Sequence, residues 1–136
     1  YQRLHMVSLA TEDFTKIKPS DIEFKLPQPN YTVNTLAHLE EKYPKHEFKL
    51  IVGSDNLTHF HKWKNHDLIL DRYGLYVYPR PGDHQIFDHS NIKYIAAPMM
   101  DISATFIRKA IKNQKSTRYL LPESVEEYIK DKKLFV

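Results

Sequence analysis

The sequence predicts an α/β domain organised on a mainly parallel sheet. Three observations predict it. Apolar runs of strand length occur at "FKLIVG" (48–53), "GLYVYPRPG" (74–82) and "NIKYIAAP" (91–98). Stretches with helical periodicity and crossover length surround them, in the order helix, strand, helix, strand, helix, strand, strand, helix, helix. The first long run is nearly continuous in apolar character, as strands buried on both faces are.

Each element has a local reason. Leu4, Val7, Leu9 and Ala10 form a helical stripe that ends near Thr11, Glu12 and Asp13. Ile22, Phe24 and Leu26 alternate between Pro19, Pro27 and Pro29, which reads as a short strand bounded by prolines. Thr32 to Tyr43 reads as a helix, with Thr32 or Asn30 as its cap and Val33, Leu36, Ala37 and Leu39 as its apolar face. Pro44 stops it. Phe48 to Gly53 is the first long strand; Gly53 breaks it, and Ser54 or Asp55 opens the next helix. "KWKNHDLIL" (62–70) reads as a further helix, and the second strand ends at Pro79. The last helices are expected over 103–113 and 122–132, Pro122 being well suited to a first helical turn.

Composition narrows the function classes. The chain is 41% hydrophobic and 27% charged, ordinary for one soluble globular domain, taken as residues 1–136. Twenty basic against seventeen acidic residues give a net charge of +3. The basic residues are dispersed, so nucleic acid is not the expected partner and small phosphate-bearing ligands suit the charge equally well. The absence of cysteine excludes disulfides, thiolate catalysis and Cys-based zinc sites, and agrees with a cytoplasmic location. No apolar run approaches the ~20 residues of a membrane span, so no membrane partner is expected. Nothing in the composition assigns an oligomeric state. The chain opens on Tyr1, and "YQRLHMVSLA" reads as a helix entered partway through, which suggests an excised piece of a longer protein.

Ligands of open α/β sheets sit beyond the carboxyl ends of the strands. After the first strand, Gly53 permits close backbone approach and Asp55 is placed to accept hydrogen bonds from ribose hydroxyls; a turn glycine and a helix-capping aspartate fit the same residues. Trp63, the single tryptophan, offers a flat ring for stacking on a ligand, or a core side chain. His59, His61 and His66 resemble a metal cluster, but the third ligand at dependable spacing is missing and no metal site is expected.

After the last strand comes "DISATFIRKAI" (101–111). Ser103 is placed to cap the helix, its first-turn N–H groups face outward, and Arg108 lies about one turn further in. Helical side chains tilt toward the N-terminus, so the guanidinium reaches back toward the same anion. With Thr105 this makes a phosphate cradle that needs no glycine-rich loop; a capped helix with a surface arginine is the competing reading. Phe106, Ile107, Ala110 and Ile111 are expected to form the buried faces.

"YTVNTL" (31–36), "GSD" (53–55) followed by Trp63, "PRPG" (79–82), "ISATFIR" (102–108) and "LLPESVEEYI" (120–129) occur in this order. Together they resemble the bacterial nicotinate-nucleotide adenylyltransferases of the HxGH nucleotidyltransferase superfamily, over nearly the whole chain. The resemblance implies a Rossmann-like fold and transfer of AMP from ATP to nicotinate mononucleotide, with Mg²⁺ assisting and ATP and nicotinate mononucleotide as partners. It implies that Ser103, Thr105 and Arg108 bind ATP phosphates and that Gly53 and Asp55 meet the adenosine ribose. Trp63 would stack on the nicotinate ring, and Thr32, supported by Tyr31, would bind its carboxylate. Arg80 would brace the site, and Arg3 matches an arginine of the preceding helix.

One departure stands out. The family's His-x-Gly-His element, which binds ATP phosphates and stabilises the transition state, does not occur among these residues. His59-x-His61 is no substitute, its middle residue being Phe60. The expectation is a C-terminal part of such an enzyme, lacking the first strand, its helix and the catalytic histidines, and inactive alone. The rival readings are a phosphopantetheine-type adenylyltransferase, against which Trp63 and "YTVNTL" speak, and a non-catalytic nucleotide-binding module.

Overall fold

Three short strands, β1 (Leu50–Gly53), β2 (Leu75–Tyr78) and β3 (Ile92–Tyr94), pair in parallel in the order β1-β2-β3. The structure is a computed structural model that describes residues 1–136. The register sets Val52 beside Val77 and Leu75 beside Ile92. Hydrogen bonds from Leu75 N to Asn91 O (2.8 Å) and from Ile95 N to Val77 O (2.9 Å) hold β2 against β3. The parallel sheet agrees with the sequence expectation, although its strands are shorter than the apolar runs that announced them.

The chain divides into two compact units, Ile22–Asp101 and Tyr1–Asp21 with Ile102–Val136. The first holds the sheet with α2 (Thr32–Lys42), α3 (Ser54–Leu57) and α4 (His66–Arg72). Its core gathers Val33 and Leu36 of α2, Val52, Leu57, Ile69 of α4, Leu75 and Val77, all buried. Strand side chains alternate between faces, so Ile51 points away from this core and is 68% exposed. The expectation of a strand buried on both faces therefore fails for β1. Ala37, expected on the buried face of α2, is exposed.

α2 and α4 are tied by charge as well as packing. Arg72 donates from Nε and Nη2 to Glu40 (3.0 and 2.9 Å), and the Tyr73 hydroxyl donates to Glu40 Oε2 (3.0 Å). These two partners hold the Glu40 carboxyl below the usual carboxylate range. Burial, followed by the bond to Glu40, pushes the Tyr73 phenol up.

Two expectations about this unit need correction. The alternating Ile22–Leu26 stretch is a 3₁₀ turn over Ile22–Lys25, not a strand. The turn closes through Leu26 N to Glu23 O, and Asn30 Nδ2 donates to the same carbonyl (3.0 Å). Local bonds thus satisfy the backbone that a strand would have to pair with a neighbour. The helix expected over 62–70 begins only at His66: Trp63 is extended and Asn65 adopts a left-handed backbone (φ 52°), which no helix carries in its interior.

The second unit holds α1 (Gln2–Thr11), α5 (Ala104–Lys112) and α6 (Glu123–Asp131). α1 packs on α6, with the His5 and Tyr128 rings 4.6 Å apart and Ser124 Oγ donating to Leu9 O (3.4 Å). Val7 of the predicted α1 stripe is largely exposed. Ala110, Val125 and Ile129 are buried, as is Thr117, whose hydroxyl donates to Glu126 (2.8 Å). Pro122 stands one residue before α6, at its cap position. No helix is long and apolar enough to cross a membrane.

Candidate functional site

The carboxyl ends of β1 and β2 meet around Gly53, Ser54, Asp55 and Arg80. Gly53 heads α3 in extended conformation. A Cβ at Gly53 would collide with the Asp55 carboxylate, which folds back over it, and would lie 3.0 Å from Arg80 Cγ. The glycine accommodates this close approach and is not needed for its dihedrals; a larger residue here would make the exposed Asp55 carboxylate move. The Arg80 amide donates to Ser54 Oγ (2.9 Å), and its guanidinium donates from Nη1 to Met100 O (3.1 Å). Arg80 thereby joins the end of β2 to the start of α3 and to the segment after β3. Beside it opens a cavity of about 210 Å³ lined in part by Ser54, Arg80, His84 and Tyr94.

The second group surrounds the start of α2. Tyr31 precedes this helix with an extended backbone (φ −107°, ψ 137°), and no side chain caps it. The expected caps therefore fail. Thr32 already lies inside the helix, one position too late, and Asn30 turns its amide to Glu23 instead. Lys64 places its ammonium 4.3 Å from the centre of the Tyr31 ring, a cation–π contact. The neighbouring Trp63 is half-buried, packs against the core and meets Phe60 at 5.4 Å. The Lys64–Tyr31 contact thus brings the segment after Trp63 to the start of α2, where Thr32 follows. The sequence analysis did not single out Lys64, although it stands next to Trp63.

The third group lies in the other unit. Ser103 has an extended backbone, and its Oγ accepts from Phe106 N (3.1 Å), so it caps α5 as its position suggested. Arg108 turns back toward the helix start, its Nη2 donating to Thr105 Oγ1 (3.2 Å). All three side chains are exposed. Phe106, expected in the core, is 59% exposed, and Ala110 carries the burial of α5 instead. The predicted site residues therefore form three local clusters: two in the unit Ile22–Asp101, and the phosphate candidates Ser103, Thr105 and Arg108 in the unit that holds α5.

His66 pairs with Asp67 at 3.0 Å, while His59 and His61 are exposed. No group of three His, Asp or Glu side chains is placed to hold a metal ion.

No family model matches the chain. Curated relatives do. A probable nicotinate-nucleotide adenylyltransferase of Flavobacterium psychrophilum is 59% identical over 133 residues, covering 95% of this chain and 69% of the relative. One of Cytophaga hutchinsonii is 49% identical over 137 residues, covering 99% of this chain and 71% of the relative. Among solved structures, the nicotinic acid mononucleotide adenylyltransferase of Plasmodium falciparum complexed with NaAD superposes with a TM-score of 0.75 at 17% identity, covering 98% of this chain and 73% of that one. The same enzyme complexed with APC gives a TM-score of 0.76. These likenesses at low identity show a shared fold.

Proposed function

The chain belongs to the nicotinate-nucleotide adenylyltransferases, enzymes of NAD biosynthesis, and we propose how its residues divide that reaction. A phosphate oxygen of nicotinate mononucleotide attacks the α-phosphorus of ATP. The bond from that phosphorus to the bridging oxygen breaks, and pyrophosphate leaves with the electron pair. Nicotinate adenine dinucleotide is the product. Such chemistry rests on positioning and on charge stabilisation, with no covalent enzyme intermediate.

Ser103, Thr105 and Arg108, with the first-turn amides of α5, hold the ATP phosphates. The observation that carries this reading is the Arg108 guanidinium lying back over Thr105 at a serine-capped helix start. A planar fork of donors there bonds two phosphate oxygens at once. Gly53 and Asp55 meet the adenosine ribose, the glycine letting the ligand approach the backbone closely. Trp63 stacks on the nicotinate ring, and Thr32, with Tyr31 beside it, receives the carboxylate. Mg²⁺ would enter with ATP and would supply charge neutralisation at the phosphates that Ser103, Thr105 and Arg108 hold. A cytoplasmic location agrees with the cysteine-free composition. The relatives favour this reading over a phosphopantetheine-type transferase.

The test is tryptophan fluorescence. Titrating the natural-length protein with nicotinate adenine dinucleotide should quench a signal that Trp63→Phe removes, at lower concentration than NAD does. Equal responses to acid and amide, or a quench that survives Trp63→Phe, would overturn the nicotinate assignment.

A further inference from the structure

We propose that Lys64 is a specificity-determining residue, selecting the acid form of the pyridine nucleotide over its amide. The inference rests on the reading above that Tyr31, Thr32 and Trp63 surround the nicotinate ring. Nicotinate and nicotinamide share a shape and differ by one negative charge on the ring substituent. Donor groups alone discriminate between them weakly, because a carboxamide oxygen also accepts hydrogen bonds. A nearby cation adds to that discrimination, because its attraction acts on the charge itself.

Lys64 meets the requirements for that cation. It follows the stacking tryptophan directly in sequence. Its ammonium lies 4.3 Å from the centre of the Tyr31 ring, next to Thr32 in sequence. It makes no ion pair with any carboxylate, so its charge is not neutralised by the protein. The Tyr31 ring limits the rotamers of a side chain that would otherwise sweep through solvent, so less order is lost when a carboxylate arrives. The backbone supports the placement: Trp63 is extended and Asn65 turns left-handed, which sets Lys64 on a short projecting link between Phe60–Lys62 and α4.

Calorimetric titration of the natural-length protein with nicotinate adenine dinucleotide and with NAD tests this. Lys64→Met should weaken binding of the acid roughly fivefold, the scale of a single exposed charge contact, and leave NAD unchanged. Lys64→Arg should restore most of the loss. The acid preference should shrink as salt is raised, in the wild type but not in Lys64→Met. Tyr31→Phe should keep the preference, and Tyr31→Leu should reduce it by freeing the ammonium. A Lys64→Met variant that weakens both ligands equally has lost packing rather than selectivity, and overturns the proposal. So does a variant that retains the full acid preference. A wild type without acid preference would instead overturn the nicotinate site itself, and this inference with it.

Discussion

The starts of α5 and α2 have nearly the same backbone and opposite chemistry. Ser103 and Tyr31 both enter their helices extended, at φ −129°, ψ 148° and φ −107°, ψ 137°. Ser103 turns its hydroxyl onto Phe106 N and satisfies part of the helix end itself. The Tyr31 side chain caps nothing, and the equivalent third amide of α2, that of Asn34, donates to Tyr31 O instead (2.9 Å). The residue at the cap thus decides whether the third amide of a helix is met by a side chain or by the backbone, and both starts leave their first two amides for a ligand. The serine-capped start is joined by a guanidinium, which suits a phosphate with many oxygens. The start without a side-chain cap has an ammonium on an aromatic ring nearby, which suits a small planar carboxylate.

The largest expected effect comes from removing the fork at α5. Arg108→Lys should lower adenylyl transfer about a hundredfold, with little change in KM for nicotinate mononucleotide. A rise in that KM with unchanged turnover would assign Arg108 to the other substrate and dissolve the contrast between the two starts. Next comes a third helix start, that of α3. Gly53→Ala must move the Asp55 carboxylate or Arg80, at a cost of about 1–3 kcal/mol, measurable by denaturant unfolding. An unchanged midpoint would show that Asp55 swings away freely.

A smaller effect separates the two starts directly. Ser103→Ala should cost about 1 kcal/mol of stability and Thr32→Ala close to none, since only the serine caps. Equal losses in thermal unfolding would mean that Thr32 caps after all. The smallest effect concerns the tie beneath α2. Glu40 is held below the usual carboxylate range by Arg72 and Tyr73, so its contribution to stability is present above the unfolded value and fades as pH falls through the folded one. The melting temperatures of wild type and Glu40→Gln should therefore differ at neutral pH and converge only once the pH has fallen below the usual carboxylate range. A constant gap down to acid pH would show that the glutamate charge is irrelevant to the tie.

The parallel sheet, the caplike Ser103 and the glycine at the end of β1 were legible in the sequence, because each follows from a rule spanning a few residues. The 3₁₀ turn at Ile22–Lys25 was not. Its alternation of Ile22, Phe24 and Leu26 mimics a strand, and only the Asn30 side chain reaching Glu23 O shows that the backbone is satisfied locally. The shortened α4 was hidden because periodicity does not report the left-handed turn at Asn65. Exposure of Ile51 and Phe106 depends on what covers a face, which no window of sequence contains. Among the site residues, nearness along the chain was readable and nearness across it was not. The Arg108–Thr105 contact spans one helical turn, whereas Lys64 meets Tyr31 over 33 residues.

The packing of Asp55 over Gly53 also governs how this site can change by mutation. The carboxylate occupies the volume where any other residue at position 53 would place its first carbon. Position 53 is therefore closed to substitution while Asp55 keeps its present pose, and it opens only after position 55 shrinks or turns outward. The two positions are therefore coupled through the pose of the Asp55 side chain. If Asp55 meets the ribose, the opening change itself weakens nucleotide binding. A larger residue at position 53 would then cost the ligand a contact, over and above any cost to the fold.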